Sequence, residues 1–395
     1  TLRSLGFGLG FNRHKILGGV VPLLDTYTGA SAAYSLRNLS SSTTNVVRVR
    51  RSSNDDEQDF TASEVSGGAL ATFVGAGNDG FVTTWYDQVP TEELSSAYGT
   101  SITGTVFGTT DQYTDVAPVS SGNFYRIQWT VSAIQTRGRV RFRNVSNGSD
   151  ITVLAGQGNL SYFTENGVYT TFVASDAGVS LWFLGDSGQG FTYSNVSVVE
   201  IDRIPNDATQ TSASSQPKIV DSGSLITRGG NSRPYASFDG NNALQSEFAS
   251  SIGHPIQSYV NVEHTTSGSN MHVHSGYAQD VFGVRYDSNN IVYFYGGGGG
   301  AQLMVADWVN NNVGNNLLFN QFDGASSIFR VNGVDVATSK NTGSGTSDGI
   351  TIGDRFNEGA GLVGYISELI IYPTNSTTNR EAIEDNINSY YSIYT

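Results

Sequence analysis

Phe81, Val82, Thr83, Thr84, Trp85, Tyr86, Asp87 and Gln88 read as a β-branched and aromatic strand running into a polar turn. The turn does not close at once. Comparable polarity returns only at Asn206, Asp207, Ala208, Thr209 and Gln210, followed by Gln216, Pro217, Lys218, Ile219 and Val220. The intervening residues have their own strand pattern and aromatic residues over the length of an independent domain. The chain is therefore read as a discontinuous domain, 21–88 plus 206–395, hosting a continuous insert, 89–205, behind an N-terminal tail, 1–20.

Composition sets the class. Of 395 residues only 14% are charged, while 47 are Gly, as expected for many short strands joined by tight turns. The expectation is all-β: two β-sandwich domains, one inserted in the other, with a C-terminal helix. Thirty-five acidic against 21 basic residues give a net charge of -14, which argues against nucleic acid or an anionic membrane surface as partner. The absence of cysteine removes disulfides and thiolate chemistry, so stability must come from packing and from oligomerisation. No apolar run approaches the roughly 20 residues that a membrane-spanning helix needs.

Working outward from Gln88, the insert shows period-two strands. Tyr125, Ile127, Trp129 and Val131 alternate with Arg126, Gln128 and Thr130, and Val140 and Phe142 alternate with Arg139, Arg141 and Arg143. Further strands are expected at 169–174, 179–184 and 191–201. In the host, Val47 and Val49 alternate with Arg48 and Arg50, and strands are expected at 235–238, 259–264, 271–274, 282–286, 291–295 and 365–372. Asn332 and Gly333 between Phe329, Arg330, Val331 and Val334, Asp335, Val336 signal a type I′ hairpin. Helices are expected over 30–39, from Ala33, Leu36 and Leu39, over 68–74, and at the C-terminus. There Thr378 and Glu381 fit a capping box, and Ile383, Ile387, Tyr390 and Tyr394 fit one buried face.

A family resemblance rests on Leu24, Asp25, Thr26, Tyr27; Ala32, Ala33, Tyr34; Val49, Arg50, Arg51; Trp85, Tyr86, Asp87, Gln88; Gln216 to Val220; and Ser237, Phe238, Asp239, Gly240. Together they resemble the catalytic domain of the alpha-L-arabinofuranosidase B family, and more closely a group of bacteriophage structural proteins with the same pattern. The 329–336 hairpin and the run to Tyr372 resemble laminin-G and concanavalin-like lectin sandwiches. The insert resembles a carbohydrate-binding-module jelly roll. These resemblances imply a virion surface protein, a head or tail fibre or a decoration protein, that adheres to host-surface glycans. They also imply contact with other virion proteins through the tail and a homo-oligomer, trimeric by analogy with fibres. Phe7, Leu9, Phe11 and Arg13 are the anchor candidates, because glycine between large apolar residues lets a segment lie flat on another surface. A first strand or a loose leader explains the same pattern.

A glycosidase needs two carboxylates about 5 to 10 Å apart. By the resemblance, the acid/base position falls at Asp354, within Gly353, Asp354, Arg355 and Phe356. The nucleophile position falls in Val281 to Arg285, which holds no carboxylate. A retaining mechanism lacks its nucleophile there, so adhesion without hydrolysis is the expectation. Arg139, Arg141 and Arg143, preceded by Arg137, should project from one strand side, where guanidinium groups suit carboxylated, sulfated or phosphorylated glycans. A solvated face, or a charged edge strand that blocks unwanted sheet pairing, explains the same row. Trp182, out of phase with Leu181 and Phe183, offers a ring for sugar stacking or for sheet packing. His272 and His274 would share a strand face, as metal ligands do, but two ligands do not make a site, and a paired-histidine surface or a glycan-contacting strand explains the spacing. Asp287, Asn289 and Asn290, with Asp354, Asn357 and Glu358, offer oxygen atoms for Ca²⁺ or serve as turn residues.

Overall fold

The computed structural model describes residues 21–395 apart from 99–102, 108–111, 116–122, 145–150, 152–162, 176–178, 186–188, 266–270, 278–280, 288–290, 297–302, 305–307, 310–313, 357–358 and 376. The host is an antiparallel sandwich. In one layer Val363–Tyr372 lies centrally, paired on one edge with Ala32–Ser35 and Ala236–Asp239, and on the other with Ile256–His264. The layer continues through Asn315–Phe322, Ser327–Val331 and Val334–Lys340. The facing layer runs from Glu57–Phe60 through Val47–Arg51, Gly80–Trp85, Ala208–Thr209 and Leu244–Gly253 to Thr346–Ile352. Met271–Gly276, Phe282–Tyr286 and Ile291–Gly296 complete it. Lys218–Asp221 pairs with both Gly80–Trp85 and Ala236–Asp239, so the layers are hydrogen-bonded at one corner.

Period-two patterning decides which side chains meet. From Val363–Tyr372, Ile366, Leu369 and Ile371 enter the core between the layers, with Val49, Val82, Phe294 and Phe329. Ile370 and Tyr372 face the other way, into a second core closed by Leu23, Leu24, Ile383, Ile387 and Tyr391. The helix Thr377–Tyr391 thus covers the outer face of one layer. Because that helix begins at Thr377, Thr378 lies inside it and is not its cap, which corrects the capping-box expectation. The buried face ends on Tyr391 and not on Tyr390, which is half-buried, while Tyr394 lies beyond the helix end. The side chain of Asn388 accepts from the backbone N–H groups of Ile393 and Tyr394 and closes that end.

The helix expected over 30–39 is instead the strand Ala32–Ser35, all four residues buried. A strand covered on both faces has no polar phase, and chance spacing of Ala33, Leu36 and Leu39 imitated a helix. The expected 68–74 helix is present as Ala69–Val74. It is preceded by Ala62–Ser66, whose Thr61 and Glu64 form a reciprocal capping box. At the Asn332–Gly333 turn both residues have positive φ, 52° and 77°, as a type I′ hairpin requires.

Between the two host segments, Gly104–Phe107, Gly190–Ile201, Asn123–Ser132 and Gly167–Ser175 form one sheet. Gln112–Asp115, Val179–Gly185 and Gly138–Asn144 form another. Tyr125, Ile127, Trp129 and Val131 from the first meet Val140, Phe142, Leu181 and Phe183 from the second, and Phe183 stacks on Tyr193 at 4.0 Å. The chain is an all-β protein of two β-sandwiches, one inserted in the other, closed by a C-terminal helix.

The stem of the inserted sandwich is a short ladder. Leu94 N–H donates to the Glu200 carbonyl at 2.8 Å, and Tyr98 and Val198 exchange both backbone bonds. Glu92 N–H donates to the Asp202 carboxylate at 2.7 Å. Below it, the buried Asp87 carboxylate gathers Ala33 N–H (2.9 Å), Val89 N–H (3.1 Å), Asn206 N–H (2.9 Å) and Arg203 Nη2 (2.5 Å). Gln88 accepts from Leu39 N–H at 2.7 Å and donates to the carbonyls of Ser35 and Arg37. The stretch from Phe81 to Gln88 is therefore the joint at which the host opens and recloses.

Candidate functional site

The strand pair Gly138–Asn144 and Val179–Gly185 has a register that sets Arg139 opposite Leu184, Arg141 opposite Trp182 and Arg143 opposite Ser180. Directly opposed residues lie on one sheet face. Val140 and Phe142 turn into the core, as do Leu181 and Phe183, so the three arginines and Trp182 share the outer side. Arg141 is exposed, and Arg139, Arg143 and Trp182 are half-buried. The Arg143 guanidinium carbon lies 4.5 Å from the Trp182 ring centroid, a cation–π contact that holds the ring in place. Tyr113 occupies the register position opposite Trp182 on the third strand.

Among the described residues, neither Arg139 nor Arg141 has an acidic partner. Most other described arginines do. Arg37 holds Glu368, Arg48 holds Glu57 and Asp59, Arg50 holds Asp55, and Arg330 holds Asp335 and Glu384. In a chain with an excess of acids, two open guanidinium groups beside an indole are a local reversal of charge.

The histidine pair does not share a face. A bulge lies between His272 and His274, whose partners Arg285 and Val284 are consecutive, and this breaks the alternation. His272 Nδ1 lies 2.8 Å from the Tyr295 hydroxyl, whereas His274 Nε2 lies 3.3 Å from Ser258 Oγ on the facing layer. Both rings are buried. Burial, then the neighbouring His272, pushes His274 down to about 3. No group of three or more His, Cys, Asp or Glu side chains positioned for a metal occurs among the described residues.

Asp354 is buried, and its oxygens accept from the backbone N–H groups of Arg355 (2.6 Å), Gly359 (3.0 Å) and Ala360 (2.9 Å). Such a carboxylate shapes its own loop. The strand Phe282–Tyr286 brings no carboxylate toward it. Asp287 accepts from the Tyr293 hydroxyl at 3.1 Å. Asn289, Asn290, Asn357 and Glu358, and the anchor candidates Phe7, Leu9, Phe11 and Arg13, lie outside the described residues.

Two features were not anticipated from the sequence. One is the convergence on Asp87 of Ala33, Arg203 and Asn206, which lie 54, 116 and 119 residues away. The other is a groove beside the C-terminal helix, where Arg37 and Arg233 both approach the Tyr390 ring. Only the abundance of arginine relative to lysine hints at it.

No protein-family model and no curated protein matches the chain. Among solved structures, an arabinofuranosidase complexed with arabinofuranosyl-alpha-1,2-xylobiose aligns over 92% of this chain and 63% of its own, at 12% identity and TM-score 0.40. Domains LG4-5 of the mouse laminin alpha1 chain align over 71% of this chain and 89% of their own, at 12% identity and TM-score 0.30. Trypanosoma rangeli sialidase aligns over 46% of this chain, at 14% identity and TM-score 0.31, and this chain spans 30% of the sialidase's length. Overlaps this loose transfer no residue roles.

Proposed function

We propose that this protein is a non-hydrolytic glycan-binding protein whose inserted sandwich recognises acidic saccharides through Arg139, Arg141, Arg143 and Trp182. The observation that carries this reading is the register that sets an arginine row against a tryptophan, with Arg139 and Arg141 unpaired among the described residues. An indole accepts the apolar face of a pyranose, and guanidinium groups bind carboxylate or sulfate bidentately. The net charge of -14 repels polyanions at long range, so recognition is local and weakens with salt. From the motif resemblance we place the protein on a virion surface, as a fibre or decoration protein of homotrimeric build that meets other virion proteins through residues 1–20 and host glycans through the insert.

The test is retention of the purified protein on acidic and neutral bacterial surface polysaccharides, with newly released reducing ends recorded in the same incubation. We expect retention on the acidic polymers without release, and a loss of about tenfold or more in the Arg139→Ala, Arg141→Ala double variant. Release of reducing ends overturns the non-hydrolytic reading. Absence of retention on every polymer leaves a structural spacer.

A further inference from the structure

We propose a second binding site, on the host sandwich, for a hydroxylated monocarboxylate the size of a uronic acid. It is the groove of 590 Å³ between the helix Thr377–Tyr391 and the segment following Leu23–Thr26, lined by Tyr27, Arg37, Arg233, Asp385, Asn386 and Ser389 around Tyr390. That volume lies within the range of small-molecule sites.

Its cations are held in place before any ligand arrives. Arg37 is 9% exposed and bound through Nε and Nη2 to the buried Glu368, at 2.7 and 2.9 Å. Its Nη1 has no hydrogen-bond partner among the described residues, and its guanidinium carbon lies 4.7 Å from the Tyr390 ring centroid. Arg233 approaches the same ring at 4.1 Å and donates from Nε to the Tyr390 carbonyl at 3.2 Å. Asn231 donates to that carbonyl as well, at 2.6 Å. Glu368 neutralises Arg37, but no carboxylate among the described residues neutralises Arg233. A planar cation fixed by stacking and by its own Nε, with both Nη groups left over, presents the fork that a carboxylate fits. Little rotamer entropy remains to be lost on binding.

The rest of the lining selects within that class. Asp385 and Ser389 are one helical turn apart and offer an acceptor and a hydroxyl to ligand hydroxyl groups. The Asp385 charge disfavours a second carboxylate. Asn386 Oδ1 is buried with no partner among the described residues, an acceptor that a ligand hydroxyl can satisfy. Tyr27 is half-buried and supplies ring surface at the groove wall.

The experiment is calorimetric titration of the full chain with D-glucuronate, D-glucose and the dianion D-glucarate. We expect saturable glucuronate binding, at least about tenfold weaker binding of glucose and of glucarate, and a loss of about tenfold or more in Arg233→Ala. Asp385→Asn should narrow the gap between glucuronate and glucarate, a readout that stands even if Arg233→Ala folds poorly. In the Arg139→Ala, Arg141→Ala background saturable glucuronate binding should persist and should still fall about tenfold or more on Arg233→Ala, which separates this site from the one on the insert. Glucose binding as well as glucuronate, no saturation by about 10 mM, or full affinity in a folded Arg233→Ala variant overturns the proposal.

Discussion

Removing the Asp87 carboxylate should loosen the joint between the two sandwiches at a calculable cost. Four donors converge on it from three chain segments, namely Ala33 N–H, Val89 N–H, Asn206 N–H and Arg203 Nη2. The side chain is fully buried and Arg203 is 17% exposed, so solvent cannot readily replace the lost acceptor. Breaking a buried pair by deleting one partner costs about 3–5 kcal/mol. Arg203 retains the carbonyls of Val89 (3.0 Å) and Ser31 (2.8 Å), which places Asp87→Ala near the lower end, about 3 kcal/mol. Asp87→Asn should do hardly better, because an amide serves only one side of the site and turns an NH2 toward the donors on the other. At about 2–4 °C per kcal/mol, the melting temperature of either variant should fall by roughly 6–12 °C. Circular dichroism on heating measures this, and adding Arg203→Ala to Asp87→Ala should cost less than Arg203→Ala alone. A fall of less than about 2 °C in Asp87→Ala would refute the assignment of Asp87 as the joint.

Two further outcomes follow from the cores and the buried histidine. His274 has a folded value of about 3 against 6.5 for the free side chain, so the unfolded chain binds the extra proton. Its contribution is fully present above pH 6.5 and is lost as pH falls toward 3, at up to about 1.4 kcal/mol per pH unit. Urea midpoints across that window should flatten in His274→Gln, and an unchanged slope would contradict the buried neutral ring. Trp129 is fully buried in the core of the insert, so Trp129→Ala should cost about 3–5 kcal/mol there. If the insert folds as its own unit, calorimetry should show one transition moving down while another stays in place, whereas a single shared shift would mean that the two sandwiches unfold together.

The inserted strands were legible because each has one wet face. Tyr125, Ile127, Trp129 and Val131 announce their side of the sheet by alternation alone, and so do Val140 and Phe142. The type I′ turn was legible because only certain residues tolerate two successive positive φ values. Ala32–Ser35 failed the same reading, because both of its faces are covered and the periodicity vanishes. At the C-terminal helix Thr378 and Glu381 match the capping-box pattern from inside the helix, whereas Thr61 and Glu64 match it and form the box.

At the candidate site the residue types were visible and their juxtaposition was not. Arg141 and Trp182 are brought together by strand register, which no local pattern in either strand specifies. His272 and His274 were separated by a one-residue bulge, a backbone irregularity with no signature in the side chains around it. The groove around Tyr390 needed contacts from Arg37 and Arg233 at once, spanning nearly the whole length of the host.

The ladder that joins Leu94 to Glu200 and Tyr98 to Val198 bears on how this protein can diversify. Seen from the host, the insert is a long excursion whose two ends are already fastened side by side. The entropy of closing such an excursion depends only logarithmically on its length, about 0.6 kcal/mol for each doubling. A larger, smaller or unrelated domain with adjacent termini could therefore be grafted onto the same stem at little thermodynamic cost to the host. The insert can be exchanged wholesale at this position while the sandwich that carries it stays the same.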